Sequence, residues 1–269
     1  MAKFIGFGRA GFLALLVAAA VWLASSTAAS TPRGQTGQQV PILLYHRFGP
    51  VASDGMTVTT PVFASQLRLL RADGCTVIPL RQLVAYLQGQ APAPPSRAVV
   101  ITADDGHRSI YTDMAPLVKS YGLPVTLFIY PSAISNARWA MTWPELGQLQ
   151  STGLFDIQSH TYWHPNFRRE HGRLASDAYR QFVDWQLTRS KEVLQQKLQI
   201  RVDMLAWPFG IYDEWLMSEA QKCGYEAAFT MERRAASSGD EVMALPGFLV
   251  ADSDRGRIFE HILASGSRQ

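Results

Sequence analysis

Two adjacent carboxylates, Asp104 and Asp105 ahead of Gly106, and two imidazoles four residues apart, His160 and His164, are the side chains of this sequence best suited to chemistry. Together they make a metal site with a spare base. A divalent cation such as zinc takes nitrogen and oxygen ligands, and a catalytic centre keeps one position open for water or substrate. Asp105, His160 and His164 would supply three ligands, leaving Asp104 free beside a metal-bound water, where a general base is wanted. Taken singly the pieces have plainer readings: Asp-Asp-Gly as a turn or helix cap, and His-x-x-x-His as a pair without fixed meaning.

Their context favours the joint reading. Arg97-Ala98-Val99-Val100-Ile101 is a short apolar, β-branched run after Pro92-Ala93-Pro94-Pro95, which predicts a buried strand with the two carboxylates at its carboxyl end. Leu154-Phe155-Asp156-Ile157-Gln158 predicts a second such strand, and His160 follows it directly. In parallel sheets with helical crossovers, ligands bind at the carboxyl ends of the strands.

The rest of the chain alternates in the same way. Strands are expected at 76–79, 98–103, 125–130, 155–159, 204–207 and 226–230, after one opening the domain at Pro41-Ile42-Leu43. Helices are expected at 80–87, 109–121, 143–150, 176–198 and 214–223. A further helix opens at Thr60-Pro61, with Phe63, Leu67 and Leu70 on one face, and closes at Gly74. Residues 88–95 read as a loop. Such alternation implies an α/β fold with a parallel sheet covered on both faces; by itself it allows either an open sheet or a barrel.

Ile101-Thr102-Ala103-Asp104-Asp105-Gly106, Ser159-His160-Thr161-Tyr162-Trp163-His164 and Ala206-Trp207-Pro208-Phe209-Gly210 resemble the three motifs of the polysaccharide deacetylase family (NodB-homology domain, carbohydrate esterase family 4): T-F-D-D-G, S/T-H-T-x-x-H and R-x-P-Y/F. The resemblance extends from about Pro41 to Val250. It implies a single-domain distorted (β/α) barrel of about seven parallel strands, with Asp104 as catalytic base and Asp105, His160 and His164 holding one divalent ion. Zinc is the first choice, with Ni2+, Co2+ or Fe2+ as alternatives. Two positions depart from the motifs. Ala206 stands where many members have an Arg that pairs with the base, and Ala103 replaces a packing Phe.

Most members also carry a late L-x-H whose His is the general acid. This chain instead has Leu44-Tyr45-His46 at its start, similar to the subgroup that deacetylates poly-β-1,6-N-acetylglucosamine, so His46 is the expected acid and His261, in a predicted terminal helix, the reserve. The resemblance further implies a substrate-binding turn at Trp207, Pro208 and Phe209, with a backbone N–H near Phe209 facing the oxyanion. Tyr162, Trp163 and Trp207 are candidate walls for stacking on sugar faces, with the core as their other reading. His107 and His171 match no motif position and read as solvated loop residues.

The leader needs no family. Lys3 and Arg9 precede 13 apolar residues, Phe12 to Ala24, and small residues at 25–29 follow, the layout of a secretory signal peptide over 1–29. A polar linker (30–40) and one deacetylase domain (41–269) complete the expected organisation. The protein is thus expected to be exported, periplasmic or extracellular, in contact with a membrane only if the leader stays uncleaved. Loss of Lys3 and Arg9 lowers the formal charge from +3 to +1, leaving no basic field for nucleic acid. Export argues against a nucleotide cofactor. Cys75 and Cys223 are the only cysteines and read as two buried free thiols, with a disulfide in an oxidising compartment as the alternative.

The expected function is metal-dependent hydrolysis of N-acetyl groups on an N-acetylhexosamine polysaccharide, a poly-N-acetylglucosamine-like polymer first, by a monomeric enzyme. Peptidoglycan, chitin oligomers and acetyl xylan are alternative substrates. A glycoside hydrolase using paired carboxylates is the rival enzyme, although it leaves both histidines unexplained, and a carbohydrate-binding relic is a third reading.

Overall fold

The computed structural model describes residues 37–267; the expected signal peptide and most of the linker lie outside them. The chain runs through β1 (Ile42–Tyr45), β2 (Arg47–Gly49), β3 (Thr57–Thr59), α1 (Thr60–Ala72), β4 (Thr76–Val77), α2 (Leu80–Leu87) and β5 (Ala98–Asp104). There follow α3 (Ala115–Tyr121), β6 (Val125–Ile129), α4 (Trp143–Gln150), β7 (Phe155–Ser159), α5 (Phe167–Arg173) and α6 (Ser176–Leu198). β8 (Met204–Ala206), α7 (Glu214–Lys222), β9 (Ala227–Phe229), β10 (Phe248–Leu249) and α8 (Arg257–Ala264) complete it.

β5 is buried at every position, as a strand covered on both faces must be. The sheet order is β10-β1-β5-β6-β7-β8-β9, with β4 added on β5, and every pair is parallel. The segment from Leu245 to Leu249 joins the two ends. Leu245 bridges to Phe229 beside β9 while Phe248 pairs with Leu43 of β1, so the sheet curls into the distorted barrel expected from the motifs.

Residue parity sorts the strands into two apolar layers. Leu43, Tyr45, Ile101, Ala103, Leu127, Ile157 and Leu205 pack with the surrounding helices. Ile42, Val100, Phe128, Met204, Ala206, Ala227 and Phe229 form the inner layer, joined by Leu80, Leu83 and Val84 of α2. Small Ala206 and Ala227 suit that narrow interior. Asp104 follows Val100 and Thr102 on the same face, and His46 follows Ile42 and Leu44, so both point inward at the rim.

Helix starts follow local chemistry. Pro61 sits in the first turn of α1, where a missing N–H costs nothing. Thr142 and Glu145 form a reciprocal cap on α4. The predicted helix 109–121 departs from regularity: Ile110–Met114 is a π-type turn before α3, because Pro116 has no N–H to offer the preceding turn. β2, β3, α5 and β10 were not expected. The first two pair as a small separate sheet, and α5 is started by Asn166, whose side chain accepts from the Arg169 N–H. Cys75 and Cys223 are free, as read from the sequence, though only half-buried.

The weakest seam lies between β7 and β8, which share one ladder pair, Ser159 with Leu205. Buried Gln158 supplies what the backbone lacks. Its side-chain carbonyl accepts from the N–H groups of both Asp203 and Met204, each at 3.0 Å, while its amide donates to Asp156 and the Arg201 carbonyl. Gln158→Leu keeps the bulk but orphans two buried donors, each worth about 1–3 kcal/mol, so urea unfolding should register a loss of about 2–5 kcal/mol; a loss below about 1 kcal/mol would show that the ladder holds the seam alone.

Candidate active site

Parallel register brings the chemistry to one rim. Tyr45 pairs with Ala103, which places His46 beside Asp104 one step beyond. Ile129 pairs with Ser159, and the His160 N–H donates to the Ile129 carbonyl at 2.8 Å, which places Tyr130 beside His160. The His160 Nδ1 lies 2.8 Å from the Ala206 carbonyl. A carbonyl only accepts, so Nδ1 carries the proton and Nε2 presents a lone pair to the site.

Asp105 receives both rings. Its Oδ1 is 3.7 Å from His160 Nε2 and 3.8 Å from His164 Nε2, and one donor atom from each of the three residues lies within 4.8 Å of the others. Ligands about 2.0–2.1 Å from a tetrahedral zinc ion stand roughly 3.4 Å apart, so the set fits a divalent ion after small adjustment. Asp104 Oδ2 is 3.8 Å from His160 Nε2. Its Oδ1, the His46 Nδ1 and the Arg47 Nε are three of the six buried side-chain polar atoms without a hydrogen-bond partner among the described residues, and all three belong to residues of one cavity with the ligand set, as a polar binding site requires.

Getting these groups to converge strains the backbone. Of six positive-φ residues other than glycine among the described residues, four are at this rim: Asp105 (71°), Thr161 (61°), His164 (64°) and Phe209 (58°). Gly106 at 77° is also required by space, since an added Cβ would meet Ile129 Cδ1 at 3.0 Å and Ile134 Cδ1 at 3.1 Å.

Electrostatics suit the ligand role. Burial holds both His160 and His164 down at about 3, so each is neutral and ready to coordinate at any ordinary pH. Burial, and then the charge of Asp105, pushes Asp104 well above the usual carboxylate range. Burial also lowers His46, against an upward pull from Asp105. These residues share one cavity of about 230 Å³ with Arg47, Met56, Tyr130, Trp207, Phe209 and Met231.

The polysaccharide deacetylase family model matches residues 91–228, a span holding Asp104, Asp105, His160, His164 and the 206–210 turn. The chain belongs to the polysaccharide deacetylase family. Putative polysaccharide deacetylase YxkH of Bacillus subtilis is 25% identical over 221 residues, covering 82% of this chain and 75% of that one. The poly-beta-1,6-N-acetyl-D-glucosamine N-deacetylase of Staphylococcus epidermidis is 24% identical over 201 residues, 73% and 68% of the two chains. The fold is shared with Streptococcus pyogenes deacetylase PplD in complex with acetate (TM-score 0.76, 19% identity, 85% and 99% covered). It is likewise shared with IcaB from Ammonifex degensii (TM-score 0.72, 23% identity, 87% and 99% covered).

Within this deacetylase fold, the residues expected to be catalytic or metal-binding, His46, Asp104, Asp105, His160 and His164, meet in one cavity. The expected sugar walls divide. Phe209 is half-exposed and packs edge-on to His164 at 4.5 Å. Pro208 is buried in the turn. Trp207 is buried too, its indole N–H donating to the Met243 carbonyl at 2.8 Å, so it is a floor and offers no stacking face. Tyr162 and Trp163 line a different groove with Phe182 and Trp185, because their N–H groups donate to Gln186 Oε1 and the positive φ at Thr161 turns the chain away from the ion site. His261 lies in a third cavity, beside Arg233 and Arg257, which removes it as the reserve acid. His171 is exposed as expected, whereas His107 is a half-buried pocket wall. Arg47 and Tyr130 were missed; each sits one step past a site residue or strand end, and that position was the available signal.

Zinc titrated into metal-free protein should bind with a stoichiometry of about one. His164→Ala should weaken it by more than the roughly 10- to 100-fold typical of a lost outer partner, and Asp104→Asn, which leaves all three ligands in place, should weaken it less than His164→Ala does. Competition with a chromophoric chelator reads both, and unchanged affinity in His164→Ala would reject this ligand set.

Proposed function

We propose that the protein is an exported, metal-dependent deacetylase that removes N-acetyl groups from poly-β-1,6-N-acetylglucosamine or a closely similar polymer, releasing acetate. The observation that carries this reading is the single cavity in which a carboxylate free of the ligand set, Asp104, and a buried imidazole, His46, flank Asp105, His160 and His164. A base and an acid on either side of an ion site are the requirements of amide hydrolysis. The choice of polymer is supported by relatives bearing that substrate in their names at 23–24% identity and by the early position of His46. Export is supported by the 1–29 leader.

A divalent ion held by Asp105, His160 and His164 would polarise the acetamide carbonyl and lower the pKa of a water molecule. Asp104 is placed to take the proton as that water attacks. The turn at Trp207–Gly210, held by the Gly210 N–H on the Trp207 carbonyl at 2.9 Å, would present a backbone N–H near Phe209 to the developing oxyanion. His46 would then donate to the nitrogen as the carbon–nitrogen bond breaks, since an amide nitrogen leaves poorly as an anion.

Acetate release from a panel of poly-β-1,6-N-acetylglucosamine, peptidoglycan, chitin oligomers and acetyl xylan tests the substrate, with the first expected to be fastest. Asp104→Asn should lose about 10²- to 10⁴-fold in rate, the usual worth of a positioned base. His46→Ala should keep its ion and its fold and lose far more on N-acetylglucosamine oligomers than on an activated aryl acetate, whose phenolate departs without an acid. Equal losses on both substrates would reassign His46 to positioning.

A further inference from the structure

Beside the catalytic cavity lies a second, of about 330 Å³, lined by Arg47, Asp105, His107, Tyr130 and Trp139. Arg47, Asp105 and Tyr130 line both. The two are therefore neighbouring cavities that share three lining residues. A volume near 300 Å³ is at the small end of ligand cavities.

Its lining is selective. Trp139 is 39% exposed and nearly parallel to His107, at 10° and 5.9 Å. Tyr130 links it to the ion site, 5.9 Å from Trp139 and 5.3 Å from His164 between ring centres. An open indole face beside polar groups is what a pyranose ring needs, apolar C–H face on the ring and polar groups at its edge. Two of the cavity's polar side chains, Arg47 and His107, can donate, and the Tyr130 hydroxyl can donate or accept. The guanidinium of Arg47 only donates, and its Nη1 meets Asp54 at 3.2 Å. The Ser109 N–H donates to His107 Nδ1 at 3.2 Å, so the neutral ring carries its proton on Nε2 and is also a donor. Asp105, the one carboxylate present, is turned to His160 and His164.

We propose that this chamber is the subsite for the sugar next to the one being deacetylated, and that it recognises an intact N-acetyl group there. An acetamide carbonyl accepts from Arg47 and His107; an ammonium, which only donates, leaves both without a partner. Sites built to hydrogen-bond one group reject analogues that leave donors unmatched. The enzyme accordingly avoids residues whose neighbour is already deacetylated and spaces its products. This inference rests on the N-acetylglucosamine reading above.

The test uses a β-1,6-linked N-acetylglucosamine tetramer and an activated aryl acetate, which has no neighbouring sugar. The ratio of kcat/KM for tetramer over aryl acetate is unaffected by misfolded material, because both rates scale with the folded fraction. Trp139→Ala should lower that ratio about tenfold, and Trp139→Phe, which keeps an aromatic face, should restore most of it. In hexamer products sequenced by mass spectrometry, free amines left by the unmodified protein should rarely be adjacent, and Arg47→Gln should make adjacent pairs several times more frequent. An unchanged ratio in Trp139→Ala, or random spacing by the unmodified protein, overturns the subsite. Absence of acetate release from the hexamer by the unmodified protein, with aryl acetate still cleaved, overturns the substrate reading itself.

Discussion

Whether this rim can hold an ion depends on one hydrogen bond across the thinnest seam of the sheet, from His160 Nδ1–H to the carbonyl of Ala206 at 2.8 Å. It selects the tautomer that leaves Nε2 bare and aims that atom at Asp105. The bond spans β7 and β8, which share a single ladder pair, so its geometry is inherited from side chains that replace the missing backbone bonds. Gln158 ties the approach to β8 from one side. On the other, Ser159 Oγ meets Ser190 Oγ of α6 at 2.8 Å, and Tyr225 Oη, at 2.9 Å from both Ser159 Oγ and the Leu187 carbonyl, locks the same strand end to the same helix. A ligand at a strand end is only as well placed as the polar network beneath it.

The rim stores instability that the rest of the domain offsets. Four left-handed backbones at non-glycine residues cost of order 1–3 kcal/mol each, and buried polar atoms without partners add to that. Such terms persist only where surrounding structure over-determines the conformation. Here the strands beneath are buried on both faces, and the layers of apolar side chains on either side leave the carboxyl ends little freedom to relax. Backbone strain therefore marks the working end of the barrel, while ion pairs such as Arg81 with Asp156 and Asp203 tie the opposite end.

The parts legible in the sequence share a cause. Asp104, Asp105 and His160 end apolar runs whose burial needs no knowledge of the partner strands, and helices such as 80–87, 143–150 and 176–198 carry their own period and punctuation; their bounds coincide with the structure. The parts that escaped depend on long-range contact or on backbone hand. Three-residue strands such as β2 and β3 leave no periodic trace. Tyr162 and Trp163 sit inside a metal motif yet face another groove, since one positive φ at Thr161 reverses where they point. His107 reads as exposed until its bridge to Ala140 and the ring of Trp139 are in place. Trp207 looked like a sugar platform because its burial is decided by Met243, 36 residues further on.

The replacement at Ala206 bears on what the ion must do. Asp104 and Asp105 put two carboxylates side by side, one fully buried, and the guanidinium nearest in the cavity, Arg47, is paired with Asp54. Two adjacent carboxylates, one of them buried, are costly to keep ionised together without a compensating positive charge. In relatives with Arg at the third motif, that charge has a side chain to come from. Here the position is a small apolar residue of the inner layer whose carbonyl serves His160, and a larger side chain would have to displace Phe128 or Phe229 from the same layer. A divalent ion held by Asp105, His160 and His164 would bring a further positive charge beside Asp104. In this chain, then, the charge balance of the carboxylate pair would depend more on the occupant of the Asp105, His160 and His164 set than it does where an Arg stands at the third motif.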